Sequence, residues 1–178
     1  EISGKNGYKG FTWGETVEEV KKTASDLLST EQHSWEFEEP QLAMAFLHSN
    51  DFNSIPNPLK FESGKITAYE SKSLQLEFWF VNTRLVAVEV AMQVNFDALS
   101  ELVRDYGLVS PTKLTLSSIQ WKVAAWNKDP MRLIVWKKYP EIPIETVTYI
   151  DGIWFENLRK RLLNELTQEH SKERGRLD

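Results

Sequence analysis

Apolar residues recur along the chain with two periods, and the switches between them outline the elements. From Thr16 the spacing is helical. Thr16-x-x-Glu19 has the form of a capping box, and Val17, Val20, Ala24, Leu27 and Leu28 follow on one face. Glu15, Glu18 and Glu19 suit the positive start of that helix. Residues 31–40 are acidic and close on Pro40, so they read as a connection. Leu42, Met44 and Phe46 then alternate with Gln41, Ala43 and Ala45 as a strand, and the Asn-, Asp- and Pro-rich stretch 49–60 reads as a loop.

Period two is clearest in the middle of the chain. Leu74, Leu76, Phe78 and Phe80 share one strand face, and Gln75, Glu77 and Trp79 share the other. Asn82-Thr83 supplies a tight turn, after which Val86, Val88, Val90, Met92 and Val94 point one way. Alternation of this length predicts an antiparallel hairpin with one face on the core, flanked by a third strand over residues 66–69. A second helix is expected from Asn95, carrying Phe96, Leu99, Val103 and Tyr106 until Gly107 stops it. Ser110-Pro111 marks a loop, and strands resume over residues 119–126, 131–139 and 144–150. Asp151 caps a last helix with the stripe Trp154, Leu158, Leu162 and Leu166, and the polar residues 169–178 are expected to fray.

This order predicts an α+β fold in a single domain spanning residues 1–178. Its antiparallel sheet carries about three helices packed on one face. Residues 66–106 and 119–168 each read as three strands followed by a helix, which suggests two βββα-like halves, although the two share almost no residue identity.

Composition narrows the chemistry. The chain has 178 residues, 21 Lys+Arg against 26 Asp+Glu, and a net charge of −5, which argues against a nucleic-acid partner bound through bulk charge. No cysteine is present, so disulfides, thiolate metal sites and a Cys nucleophile are excluded. Seven Trp, nine Phe and five Tyr supply an unusual stock of aromatic surface. No apolar run approaches the roughly 18–20 residues of a membrane-spanning helix. The chain opens on Glu1 rather than Met, a start that a removed signal peptide or a truncation omitting a leader would explain, and an upstream lipid anchor is compatible with it.

The segment Tyr8-Lys9-Gly10-Phe11-Thr12-Trp13-Gly14-Glu15-Thr16-Val17-Glu18-Glu19-Val20 resembles the opening of small exported or lipid-anchored bacterial envelope proteins, spirochaete ones among them. In that family a GxxWGxSxEEV-like stretch leads from a short strand into the first helix. The strand 76–81, the Asn82-Thr83 turn, the strand 85–90 and the helix closing on Tyr106-Gly107 follow the same plan. The resemblance spans about residues 8–107 and its motif is structural. It implies a periplasmic or envelope location and carries over no active site.

Catalytic patterns are thin. His33-x-x-Glu36 with Glu38 and Glu39, and His48 with Asp51, offer N/O donors, but an acidic loop and an Asx-rich turn explain the same residues, and no metal site is assigned. Glu77 and Glu89 are positioned to face each other across the hairpin as a glycosidase-like pair or as solvated charges. Phosphate loops, dinucleotide fingerprints and a G-x-S-x-G elbow are absent, so no cofactor is expected.

Residues 119–139 stand out. Trp121, Trp126, Trp136 and Tyr139 interleave with Lys122, Lys128, Arg132, Lys137 and Lys138, against one acidic residue, Asp129. As strands, Arg132, Ile134, Trp136 and Lys138 share one face, and Lys122, Ala124 and Trp126 share another. Either the tryptophans pack across strands beneath Lys and Arg stems, or Trp126, Arg132, Trp136 and Lys138 form a ligand-binding face. The sequence therefore points away from catalysis and toward an exported binding or scaffolding domain whose partner is an envelope protein or a glycan. The alternative is a hydrolase or metal-assisted enzyme built on His33, His48 and nearby carboxylates.

Overall fold

The computed structural model describes residues 7–34, 65–116, 119–128, 132–139 and 141–177. The strand expected over 41–46 and the loop over 49–60 lie outside them. A two-stranded hairpin, β1 (Gly7–Tyr8) and β2 (Phe11–Thr12), leads into α1 (Val17–Lys21). Then come β3 (Leu28–Ser34), β4 (Lys65–Ser71), β5 (Leu76–Val81), β6 (Arg84–Ala91) and α2 (Ala98–Tyr106). The chain continues through β7 (Thr112–Leu116), β8 (Ile119–Lys128), β9 (Arg132–Lys138), β10 (Glu145–Asp151) and α3 (Gly152–Gly175).

Local chemistry sets the helix ends. Thr16 caps α1, its hydroxyl accepting from Glu19 N–H at 3.2 Å. The helix is shorter than its apolar spacing predicts, because Asp26 draws the following turn elsewhere. Its carboxylate accepts the Ser71 hydroxyl at 2.7 Å and Ser73 N–H at 2.9 Å, tying this turn to the one between β4 and β5. Ala24 and Leu27 stay buried, whereas Leu28, expected on the helix, starts β3 and is 64% exposed.

Asp97, not Asn95, caps α2 by accepting from Ser100 N–H and Oγ. Asn95 turns the chain at a φ of 71°, and that turn leaves Phe96 in solvent instead of on the helix stripe. Asp151 caps α3 as expected, taking N–H groups from Ile153 and Trp154. Phe155 and Leu158 are buried at its start. The polar residues 169–175, expected to fray, continue the helix with exposed side chains.

The eight strands β3 to β10 form one antiparallel sheet in the order β3-β4-β5-β6-β10-β9-β8-β7, so the class is α+β. Two four-stranded meanders, β3–β6 and β7–β10, meet where β6 pairs with β10. The elements of the suggested repeat are present, but each meander has four strands and is preceded by a helix, α1 or α2. Among the described residues the unit is helix then four strands.

Cross-strand register stacks residues into rows. Tyr69, Phe78, Val88, Tyr149, Ile134 and Trp126 lie directly opposite one another from β4 to β8. The next row on that face holds Leu76, Val90, Val147, Trp136 and Ala124. The hairpin, α1 and the turn after it cover one half with Tyr8, Phe11, Val20, Ala24 and Leu27, and α2 covers the other with Ala98 and Leu102. Tyr149 touches both clusters, and neither contains a residue of α3, which lies against β9 and β10. The opposite face is dry at its centre as well: Ala68, Trp79, Ala87, Ile150 and Leu133 are all at most 2% exposed. An irregularity at Trp79/Phe80 puts Leu85 opposite Phe80 and into the first cluster.

Three outcomes follow from these local constraints. Asn82 and Thr83 form the β5–β6 turn at φ values of 49° and 63°, a strained place for a β-branched residue. Thr83→Gly is expected to stabilise the chain by about 1 kcal/mol in urea unfolding. A Cβ on Gly7 would sit 1.7 Å from the Phe11 carbonyl oxygen, so Gly7→Ala is expected to cost about 1–3 kcal/mol in the same measurement. The Ser71 hydroxyl, aided by Ser73 N–H, lowers the Asp26 carboxyl from 3.8 to about 2. Its contribution is complete above the unfolded value and disappears as pH falls through about 2. In Asp26→Asn the acid-unfolding curve should be flatter across that interval.

Candidate functional site

The pairing of β8 with β9 decides what becomes of the aromatic and basic residues. Lys122 lies opposite Lys138, Ala124 opposite Trp136, and Trp126 opposite Ile134. The two faces expected from the separate strands are therefore one face, the one that α2 covers. Under α2, Trp126 is 4% and Trp136 2% exposed. The Trp126 Nε1–H donates to Gly107 O at 2.9 Å and fixes the end of α2. The Trp136 Nε1–H donates to Glu145 Oε1, also at 2.9 Å. Both indoles, expected as stacking surfaces, are core side chains. Trp79 is buried too, its Nε1–H bonded to Glu77 Oε1 at 2.7 Å.

Of the expected site residues, Lys138 alone reaches an open surface beside Trp136. Arg132 is at the other end of β9, opposite Lys128 and Asp151. Six residues of strand, about 20 Å, separate it from Lys138. Lys137 projects to the opposite face and is 6% exposed. Its Nζ is 3.9 Å from Glu89 Oε2 and 5.0 Å from the centre of the Trp121 ring. Glu89 also accepts the Thr148 hydroxyl at 3.2 Å. Glu77 and Glu89 do face each other across the hairpin, but each carboxylate holds a structural partner, Trp79 or Lys137 with Thr148.

One row further along the α2 face, register aligns Lys113, Lys122, Lys138 and Glu145 on four adjacent strands. At the spacing of paired strands the three lysines span about 10 Å. Among the described residues none of the three has a carboxylate within 4 Å. Like charges directly opposite on paired strands repel. The row forms the wall of a cavity of about 610 Å³ between the sheet and the segment leading into α2. Trp136 and Leu99 supply its apolar lining, Pro111 and Pro143 its rims, and the exposed Phe96 ring flanks the entrance. Asp97 also faces it. Its carboxyl is held below the usual range by the Ser100 hydroxyl and N–H, with the positive field of Lys138 adding to them.

No protein-family model, characterised protein or solved structure matches this chain. The site is therefore read from its own residues.

Sequence reasoning missed Lys113 and Phe96. Lys113 belongs to β7, where Lys113 and Thr115 alternate with Leu114 and Leu116, a short period-two signal hidden behind Pro111. Among the histidines, His33 is in β3 opposite Ile66 and His170 is exposed on α3. His48, Asp51, Glu36, Glu38 and Glu39 lie outside the described residues. Among the described residues no three His, Asp or Glu side chains gather to hold a metal, and no helix is long and apolar enough to cross a membrane.

Removing Glu89 strands a buried ammonium, so Glu89→Ala is expected to cost about 3 kcal/mol by chemical denaturation. Trp126→Phe loses the bond to Gly107 O and should cost about 1–2 kcal/mol. Hydrogen exchange in that variant should rise first at the end of α2.

Proposed function

We propose that this chain is a non-enzymatic binding or scaffolding domain of the bacterial cell envelope, engaging its ligand through the groove of Lys113, Lys122 and Lys138. The observation that carries the reading is the lysine row itself. Three like charges are aligned on rigid paired strands, have no carboxylate within 4 Å among the described residues, and border a concave, partly apolar wall. Folding gains nothing from this alignment, whereas an anionic ligand gains three contacts already positioned. The envelope location is supported by the resemblance of residues 8–20 to exported and lipid-anchored bacterial proteins.

The groove replaces the tryptophan face as the surface to test, since Trp126→Ala or Trp136→Ala would disrupt the core. Lys122 is exposed, so Lys122→Glu should leave the circular dichroism spectrum and melting temperature nearly unchanged. Immobilised wild-type chain is expected to retain a component of envelope extract that Lys122→Glu loses and Lys160→Glu, altered on exposed α3, keeps. Equal retention by all three would refute the groove. Recovery of the natively expressed protein in the cytosolic fraction would refute the envelope assignment.

A further inference from the structure

We infer that the groove takes a small phosphomonoester whose phosphate sits on Lys113, Lys122 and Lys138 and whose body is flat and apolar or ring-shaped. The inference deepens the binding reading given above and rests on it. Four features lead to it.

The charge is compact. The row is positive over β7, β8 and β9 and stops at Glu145 on β10. Asp97 closes the side toward α2, and the chain as a whole carries −5. A long polyanion needs a positive track that runs on, and this one ends after about 10 Å. The volume is that of a small-molecule site, about 610 Å³ against the usual range of about 300–1,000 Å³.

The cations are lysines. Compact ammonium groups act as separate point charges, whereas a planar carboxylate is best met by the fork of an arginine. A phosphomonoester presents three acceptor oxygens and nearly two negative charges at neutral pH, which three ammonium groups carried on adjacent strands around one cavity can satisfy together. The dianion also removes the repulsion among them.

Beyond the lysines, the lining combines Asn95, Asp97 and Glu145 with an apolar side. Leu99, Pro111 and Pro143 border it, and Phe96 stands 44% exposed at its edge, held outside the helix by the turn at Asn95. A ring placed between Phe96 and the prolines would cover that surface while the phosphate stays on the row. Glu145 Oε1 is taken by Trp136 Nε1–H, which holds this carboxylate at the end of the row.

The test is titration of the full chain with 1-naphthyl phosphate, followed by the probe's fluorescence, with 1-naphthol and inorganic phosphate as comparisons. Saturable one-to-one binding is expected, at least about tenfold tighter than either comparison. Lys122→Gln and Lys113→Gln should each weaken it about tenfold, and Lys160→Gln should not. Phe96→Ser should weaken naphthyl phosphate and leave inorganic phosphate unchanged. Equal affinity for 1-naphthol, or equal loss in Lys160→Gln, would overturn the inference. So would displacement of the probe by single-stranded nucleic acid with a steep salt dependence. If naphthyl phosphate does not bind while Lys122→Glu still loses its envelope component, the phosphomonoester is wrong and the binding domain stands. If neither assay responds to Lys122, both fall.

Discussion

The pairing of β6 with β10 is the constraint on which the rest of the structure depends. It joins two meanders that would otherwise be separate sheets, and it sets the register of every row that crosses the middle. Tyr149 marks the seam. It lies opposite Val88 on β6 and Ile134 on β9, and it touches both hydrophobic clusters. A slip by one residue at this seam would exchange the faces of the second meander. Trp126 and Trp136 would leave α2, and Lys137 would move from its place over Trp121 to the side of the groove. The pairing of β7, β8 and β9 aligns Lys113, Lys122 and Lys138, and the seam sets which face of that meander they share with the first.

The seam also explains why the protein needs so many aromatic residues. The sheet is dry on both faces at its centre, with Phe78, Val88 and Ile134 on one side and Trp79, Ala87 and Leu133 on the other. A sheet covered on both sides needs large side chains on successive residues, so strict alternation of apolar with polar positions breaks down in β5, β8 and β9. The indoles of Trp79, Trp126 and Trp136 bond to Glu77, Gly107 and Glu145, so burial leaves none of these three N–H groups unsatisfied.

These facts account for what could be read from the chain. The period-two face of Leu76, Phe78 and Phe80 in β5, the Asn82-Thr83 turn and the Asp151 cap are local signals, and local signals are written in consecutive residues. So are the outlines of β4, β8, β9 and β10. The fate of Trp126 and Trp136 was not legible, because exposure depends on which strand lies opposite and which helix lies above. The lysine row was half visible. Lys122 and Lys138 stand out as charges among tryptophans, but their alignment is a property of pairing, and Lys113 sits in a strand of five residues behind a proline. Phe96 was misread because Asn95 is as good a turn residue as a helix cap. The split of Arg132 from Lys138 follows from strand length alone, yet residues that share a face on paper look closer than they are.

One contact has a consequence for the order in which the chain can fold. The Tyr8 ring lies 4.7 Å from that of Tyr149, between the first described strand and the last. Gly14 and Glu15 are bonded to Leu85, which ties the same N-terminal segment to the start of β6. The hairpin and α1 therefore cover a surface that is complete only after β10 has been synthesised. As the chain emerges from the ribosome, the first meander can form its hairpins, but the Tyr149 ring that packs on Tyr8 arrives only with β10. Such closure across the length of the chain is slow compared with local pairing. The buried residues of the first cluster all come from residues 8–88, and Tyr149 adds the contribution of the second meander to it.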